Sequence, residues 1–362
     1  MSTEVAAKAF PCSACGAKLQ FAPGTTTLIC PHCGAANQIP TDGPAVHEED
    51  FLAAIRAFES SADQVEPLMV TCGSCGASTT LAVNVTAAIC PFCGSPLVTA
   101  GAAHRQIKPE CLLAFAITAP QAMQAYQSWL ASLWFAPSAL KRDALSGRLQ
   151  GVYIPAWTYD SRAETDYTGE RGDDYWDTQT YTETVNGKSE TRTRQVRKTR
   201  WSSASGHVQN VFDNLLILAA RSLPKKKAEA LEPWDLENLL PYKEEYLAGF
   251  IAQSYNVDME EGFEEAKQHM VGDIDSTICR DIGGDHQRIG WKESAYFEIT
   301  FKHLLLPVWL ASYRYQEQVY QFLINARTGE VQGERPWSWV KITLTVLAVI
   351  ALVVTIVIFS RS

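Results

Sequence analysis

Apolar and polar residues alternate with different periods along the chain of 362 residues, and the clearest stretch lies at its end. Ile342 to Phe359 is an uninterrupted uncharged run (ITLTVLAVIALVVTIVIF). As a helix it rises about 27 Å, close to the ~30 Å hydrocarbon core of a bilayer. Trp337 and Trp339 stand just before it, and Lys341 and Arg361 bracket it, residue types that settle at headgroup level. A single membrane-spanning helix is therefore expected. Met1 to Phe10 lacks the apolar segment of a signal peptide. Arg335 and Lys341 precede the helix and Arg361 follows it, a slight bias that places the bulk of the chain in the cytosol, on an inner membrane.

Upstream, the patterns are shorter. Glu48 to Ser61 predicts an amphipathic helix with Phe51, Leu52, Ile55 and Phe58 on one face, a spacer packed on its neighbours. Pro120 to Leu133 predicts a helix capped by Thr118. Gly151 to Asp160 reads as a strand. Tyr175 to Trp201 reads as a polar hairpin turning at Asn186-Gly187. Lys243 to Gln253 and Glu260 to Asp281 predict helices. Tyr296 to Phe301 and His303 to Tyr315 predict strands. Val319 to Asn325 and Glu330-Val331 form a last hairpin about Ala326-Arg327-Thr328-Gly329. Tyr153-Ile154-Pro155-Ala156-Trp157 echoes Leu305-Leu306-Pro307-Val308-Trp309, so the two read as equivalent strands whose prolines suit edges or bulges.

Cysteine changes this picture at the other end. Phe10-Pro-Cys-Ser-Ala-Cys-Gly-Ala aligns with Val70-Thr-Cys-Gly-Ser-Cys-Gly-Ala, and Thr27-Leu-Ile-Cys-Pro-His-Cys-Gly with Ala87-Ala-Ile-Cys-Pro-Phe-Cys-Gly. The offset is constant, which marks an internal repeat. Cys12, Cys15, Cys30 and Cys33 form one Cys-x2-Cys-x14-Cys-x2-Cys set, and Cys72, Cys75, Cys90 and Cys93 form the second. A two-residue gap lets one tight turn aim both sulfurs at the same ion, and glycine follows each pair (Gly16, Gly34, Gly76, Gly94). Four thiolates leave no coordination position open, so two structural Zn2+ ions are expected. Iron in a rubredoxin-like site is the competing occupant, and a disulfide framework the competing chemistry. Regular pairing and metal-bound thiolates suit a reducing compartment. His32 matches Phe92 of the second copy and is not a ligand.

These elements predict an α+β protein: a zinc ribbon in 1–40, a linker helix in 41–66, a second ribbon in 67–103, a mixed α+β domain with antiparallel strands in 104–334, and a membrane anchor in 335–362.

The formal net charge is −9. From Met1 to Ala103 only Lys8, Lys18 and Arg56 are basic, against Glu4, Asp42, Glu48, Glu49, Asp50, Glu59, Asp63 and Glu66. Phosphate backbones need several cations in one place, so protein partners are favoured over nucleic acid for these ribbons. The basic cluster Arg192, Arg194, Arg197, Lys198 and Arg200 reads as a solvated edge strand, with anionic headgroups as the alternative partner. Lys225-Lys226-Lys227 reads as a solvated turn. His47, His104, His207, His269, His286 and His303 lack metal-ligand spacing, Gly283-Gly284-Asp285-His286 lacks a phosphate-cradling pattern, and no Walker, Gly-x-Ser-x-Gly or His-Glu-x-x-His motif occurs. Cys111 and Cys279 read as buried small hydrophobes. No enzyme is expected.

The layout, carried by the eight paired cysteines and Ile342–Phe359, resembles a family of bacterial membrane proteins with tandem TFIIB-type zinc ribbons, an α+β middle and a C-terminal membrane helix. Members are often labelled primosomal or replication-factor-like helicases. That label implies nucleotide hydrolysis, for which this sequence lacks the Walker residues. Some similar proteins are linked to phage-shock-type and SPFH-type membrane-stress partners. The resemblance therefore implies a scaffold that recruits a cytosolic protein to the membrane; a nucleic-acid-associated factor and an enzyme housed in the α+β domain are the alternatives.

Overall fold

The computed structural model describes residues 10–40, 45–60, 69–71, 78–80, 87–89, 96–98, 107–135, 149–185, 188–221, 223, 225–315, 318–333 and 338–360. The first elements are short: β1 (Gln20–Phe21), β2 (Thr27–Ile29), β3 (Ala36–Gln38), β4 (Glu49–Asp50) and helix α1 (Phe51–Ser60). Next are two hairpins, β5 (Met69–Thr71) with β6 (Ser78–Thr80), and β7 (Ala87–Ile89) with β8 (Pro96–Val98). Then come β9 (Cys111–Leu112) and helix α2 (Ala119–Ser132), whose first turn is closed where the Thr118 amide donates to Gln121 Oε1 at 2.9 Å.

Three long strands dominate the rest of the chain. β10 (Gln150–Val185) has 36 residues and β11 (Lys188–Leu218) has 31. Helix α3 (Lys225–Glu229), β12 (Leu240–Pro241), β13 (Ile251–Ala252) and helix α4 (Met259–Ile282) precede β14 (His286–Tyr315), of 30 residues. β15 (Gln318–Asn325), β16 (Val331–Gly333) and helix α5 (Trp339–Ser360) are the last elements. The main sheet is antiparallel along β11-β10-β14-β15-β16. At about 3.3 Å per residue β10 spans roughly 120 Å, where strands of 3–10 residues are usual.

The composition of β10 explains its three zones. From Gly151 to Tyr159 every residue is buried, as a strand covered on both faces demands. From Ser161 to Tyr167 the odd positions are buried and the even ones are partly or fully exposed. From Tyr175 to Glu183 no residue is buried, and the residues are Tyr, Trp, Asp, Thr, Gln and Glu. Helix α4 covers the middle zone. It starts where Asp258 caps the Glu261 amide at 2.8 Å, buries Met259, Phe263, Ala266, Met270, Ile274, Ile278 and Ile282 at helical spacing, and stops at Gly283 with φ +67°. Tyr159 donates to Met259 O at 2.7 Å and Tyr167 to Asp281, so two tyrosines of one strand pin the two ends of the helix.

The sheet overturns some local expectations. Tyr296–Phe301 and His303–Tyr315 belong to one strand. Tyr153–Trp157 and Leu305–Trp309 are mutual partners: Tyr153 pairs with Pro307 and Pro155 with Leu305. Neither proline lies on a sheet edge. Pro155 sits where the neighbour changes from β13 to β11, and Pro307 where it changes from β9 to β15, so neither position requires an N–H. Their carbonyls accept from Ala219 and Ala326, both at 3.0 Å. Lys243–Gln253 is not a helix: a 3-10 turn over Glu244–Leu247 ends before Gly249, whose φ of +90° breaks the helical run, and Ile251 joins the sheet. Lys225–Lys227 begin a short helix rather than a turn.

The segment around α1 is strapped to the sheet. β4 pairs with Thr300 and Phe301 of β14, and Phe51 enters the core beside Tyr159, Phe263 and Phe301, while Leu52 of the predicted apolar face points to solvent. Glu48 accepts from the Lys302 ammonium at 2.8 Å, and its carboxyl is held down to about 2 by hydrogen bonds to Asp160 and Lys302. Nearby, burial and then the charge of Glu49 push Glu110 up to about 8.

This packing makes two sites sensitive to change. A β-carbon at Gly262 would lie 2.3 Å from Tyr159 Oη and 3.0 Å from the Trp157 ring. Gly262→Ala should therefore destabilise by about 1–3 kcal/mol, despite alanine's better helix propensity, and lower the thermal midpoint. Glu110 favours its protonated form in the fold, so its contribution is intact below the ordinary carboxylate pKa and is lost as pH rises through about 8. Glu110→Gln should flatten that part of the stability–pH profile; an unchanged slope in denaturant melts from pH 5 to pH 8 would refute the assignment.

Candidate metal centre

Two knuckles of the same form build the first cysteine site. The amide of Cys12 donates to Ala17 O at 2.7 Å and that of Cys30 to Ala35 O at 2.9 Å. Gly16 and Gly34 return to Cys12 O and Cys30 O at 2.8 and 3.0 Å, with φ of +74° and +75°. That left-handed conformation is why glycine follows each pair. Cys12 Sγ lies 3.6 Å from Cys33 Sγ, and Cys15 Sγ lies 3.5 Å from Cys30 Sγ. All four sulfurs fall within 4.8 Å of one another. A tetrahedron with metal–sulfur bonds of about 2.3 Å has edges of about 3.8 Å, so the four residues fit one metal ion.

The local electrostatics pull Cys30 and Cys15 in opposite directions. Backbone amides of Cys33 and His32 draw the Cys30 thiol down to about 6, against the effect of burial. The Ala17 amide draws Cys15 the same way, but the crowded sulfurs of Cys30 and Cys33 push it up to about 12. Without a cation the four sulfurs must share protons; a divalent ion removes that conflict.

The site is fastened to the α+β domain. Cys12, Leu19, Phe21, Leu28, Cys30 and Ile39 share one core with Phe115, Tyr153, Tyr246 and Trp309. Phe21 meets the Tyr246 ring edge-on at 5.2 Å, its amide donates to Ala248 O at 2.9 Å, and Gly24 donates to Phe115 O at 2.8 Å. Lys243 Nζ donates to Pro40 O. Cys15 and Cys33 remain on the exposed side.

Cys72, Cys75, Cys90 and Cys93 lie outside the described residues. The strands beside them repeat the first copy's register: Leu28 pairs with Asn37 and Ala88 with Leu97, while the Pro11–Lys18 bridge recurs as Thr71 paired with Ser78.

The other candidates sort differently. Cys111 is fully buried in β9, as a small hydrophobe. Arg192, Arg197 and Lys198 are paired with Glu183, Asp174 and Asp177, and Arg194 and Arg200 lie over Tyr181 and Tyr175 at 5.6 and 5.1 Å. The basic cluster is thus matched by its own hairpin. His269 follows Glu265 by one turn on α4, and α3 brings the distant Glu229 to the pair. Lys225 Nζ already lies 2.5 Å from Glu265 and 3.9 Å from Glu229. A cavity of about 460 Å³ is lined by Trp234, Asp235, Glu237 and Lys302, among others. Of its charges, Lys302 is paired with Glu48 and Asp235 with Arg327.

Helix α5, of mean hydropathy 3.0, is long and apolar enough to cross a membrane and buries none of its length in the protein. Its start is nonetheless held. Ser338 caps it, its Oγ accepting from the Lys341 amide at 3.4 Å, and donates its own amide to Phe135 O at 2.8 Å; Lys341 Nζ reaches Trp134 O at 3.3 Å.

The molecule is therefore an α+β protein with a docked four-cysteine site able to hold a metal and a C-terminal helix able to cross a membrane. No family model matches the chain, and no solved structure matches it. It is similar to a protein of Bacillus subtilis (strain 168) that carries the name "Uncharacterized protein YdjG", with 26% identity over 240 residues. The match covers 64% of this chain and 65% of the relative's length.

Because Cys12 and Cys30 belong to the domain core, metal loss should be felt beyond the knuckles. Cys12→Ser/Cys30→Ser should lower bound metal by one ion per chain and also lower the thermal midpoint followed by near-ultraviolet dichroism of the domain's tryptophans. Metal loss with an unchanged midpoint would refute the coupling.

Proposed function

We propose that this chain is a membrane-anchored scaffold that holds two structural Zn2+ ions and recruits a cytosolic protein to the inner membrane. The observation that carries the reading is helix α5: an apolar helix wholly outside the protein's core, yet fastened to the folded domain at Ser338 and Lys341. Water is a poor solvent for such a surface, and a bilayer a good one. Four cysteines with tetrahedral spacing support zinc at the first ribbon, and the repeated register supports a second. The bulk of the chain then lies on the reducing side, which suits metal-bound thiolates.

The two ribbons divide the work. The first is a staple, its apolar face used up on the domain. In the second, the positions matching Leu19, Leu28 and Ile39 are Thr79, Ala88 and Thr99. That copy replaces three of the four large apolar residues that dock the first and keeps Leu81 at the position of Phe21, which leaves most of this face to meet a partner. The resemblance to tandem-ribbon membrane proteins points to partners of the phage-shock or SPFH type. The ion-paired hairpin, and ribbons without a basic cluster, argue against a nucleic-acid role.

The test is a pull-down of the full chain from detergent-solubilised membranes. Cys72→Ser/Cys75→Ser should lose protein partners that Cys12→Ser/Cys15→Ser, once folded, retains. Identical partner sets for wild type and Cys72→Ser/Cys75→Ser would overturn the recruiting role. Recovery of the intact chain in the soluble fraction would overturn the anchor.

A further inference from the structure

Past Gly172 the long sheet narrows to two strands. β14 begins at His286, which pairs with Gly172, so from Tyr175 to Val185 the outer edge of β10 meets no strand among the described residues. β11 is the outermost strand of the sheet on the other side. Helix α4 stops at Ile282 and does not reach this region. The overhang pairs Asp173–Val185 with Lys188–Arg200 and extends about 40 Å. A two-stranded ribbon with neither face covered is at best marginally stable in water.

The two open edges carry opposite charge. Between Asp173 and Val185, β10 has Asp173, Asp174, Asp177 and Glu183 and no basic residue. Between Lys188 and Arg200, β11 has Lys188, Arg192, Arg194, Arg197, Lys198 and Arg200 against the single acid Glu190. Like-charged edges repel, so this pattern rejects β10 against β10 and β11 against β11. It admits an acidic edge beside a basic one. Asp177 and Glu183 remain half-exposed in their own ion pairs and can face a second cation. The side chains also suit sheet extension: Thr178, Thr180 and Thr182 lie opposite Gln195, Thr193 and Thr191 on one flat face. Trp176, 66% exposed, shares that face with Arg197.

We propose that the overhang binds a second copy of this chain edge to edge, β10 of one copy beside β11 of the next. β10 runs outward to the tip and β11 runs back, so this pairing is antiparallel when all copies point the same way. The contact is head-to-tail and leaves a free acidic edge at one end and a free basic edge at the other. It therefore generates rings or rows rather than closed dimers. Copies so arranged carry their C-terminal helices on one side, which is compatible with a common membrane, though the pairing does not depend on the anchor or on the ribbons.

The test uses the full-length protein in detergent, prepared as an equal mixture of unlabelled and nitrogen-15-labelled chains and treated with a zero-length carbodiimide. Lys198 should link to Asp173, Asp177 or Glu183 in peptide pairs of mixed isotope, and these should fade at high salt, where the Debye length shrinks to about 3 Å at 1 M. Two variants separate edge pairing from general charge. Thr182 lies directly opposite Thr191, and Thr180 opposite Thr193, so Thr180→Lys/Thr182→Lys and Thr191→Lys/Thr193→Lys place the same charges on the same hairpin face. Cations on the acidic edge should abolish the mixed-isotope links, whereas cations on the basic edge should preserve them. Same-isotope Lys198–Asp177 links report that the hairpin has formed; if a variant loses those, the wild-type result decides alone. Wild type giving only same-isotope links, or both formed variants behaving alike, would overturn the proposal.

Discussion

The structure depends on the pairing of Tyr153–Trp157 with Leu305–Trp309. These segments are apolar on both faces, and each ring or branched side chain serves a different neighbour. Tyr153 and Trp309 face the ribbon core through Phe115, while Trp157 supports α4 and the strap around Phe51. Ile154 and Val308 cover the Leu223–Leu231 side. With proline at the changeover of partners on both strands, the sheet can exchange a short neighbour for a long one without stranding an amide. Buried in this way, the pair gives the long strands a fixed origin, and the polar part of β10 can then extend far beyond any core.

That fixed origin changes what the first metal site does. A free zinc ribbon has too little apolar area to fold alone and is held by its ion. Here the domain itself holds the segment, because Cys12 and Cys30 are in the core, and Phe21 and Leu28 close it. A metal bound by the four sulfurs would tie the two knuckles together and give the apolar face they present one shape. In sequence the second copy replaces most of that face with small or polar residues, so the repeat keeps the cysteine spacing and changes the residues around it.

Much of this was legible in the sequence. Cysteine spacing and the glycine after each pair specify the knuckle because few other conformations aim two sulfurs at one point. The stripe from Met259 to Ile282 and the run Ile342–Phe359 are long enough for periodicity to decide. The length of β10 was not legible. Its outer half is polar on both faces, and a strand without a buried face has no period-two hydrophobic signal to read. Lys243–Gln253 misled for the opposite reason: its composition suits a helix, but Gly249 and the backbone bond from Phe21 to Ala248 O draw it toward the ribbon and the sheet. Glu229 joins Glu265 and His269 only because α3 lies against α4, a contact that no local pattern encodes.

The junction between domain and terminal helix adds a constraint that composition alone does not give. A membrane helix joined by a slack linker would leave the domain free to rotate over the bilayer. Here the carbonyls of Trp134 and Phe135, just past the C-terminal end of α2, accept from the Lys341 ammonium and the Ser338 amide. A cation at that end complements the helix dipole, and Ser338 starts the next helix in the same step. Trp134 is 75% exposed and Trp339 78%, so two indoles flank the lysine at the point where apolar helix gives way to folded domain. Indoles and a snorkelling lysine share a preference for the headgroup layer, and both are fixed to α2, which packs on the sheet through Tyr126 and Phe322. In a bilayer, the same few contacts would therefore fix both the depth of the helix and the tilt of the domain.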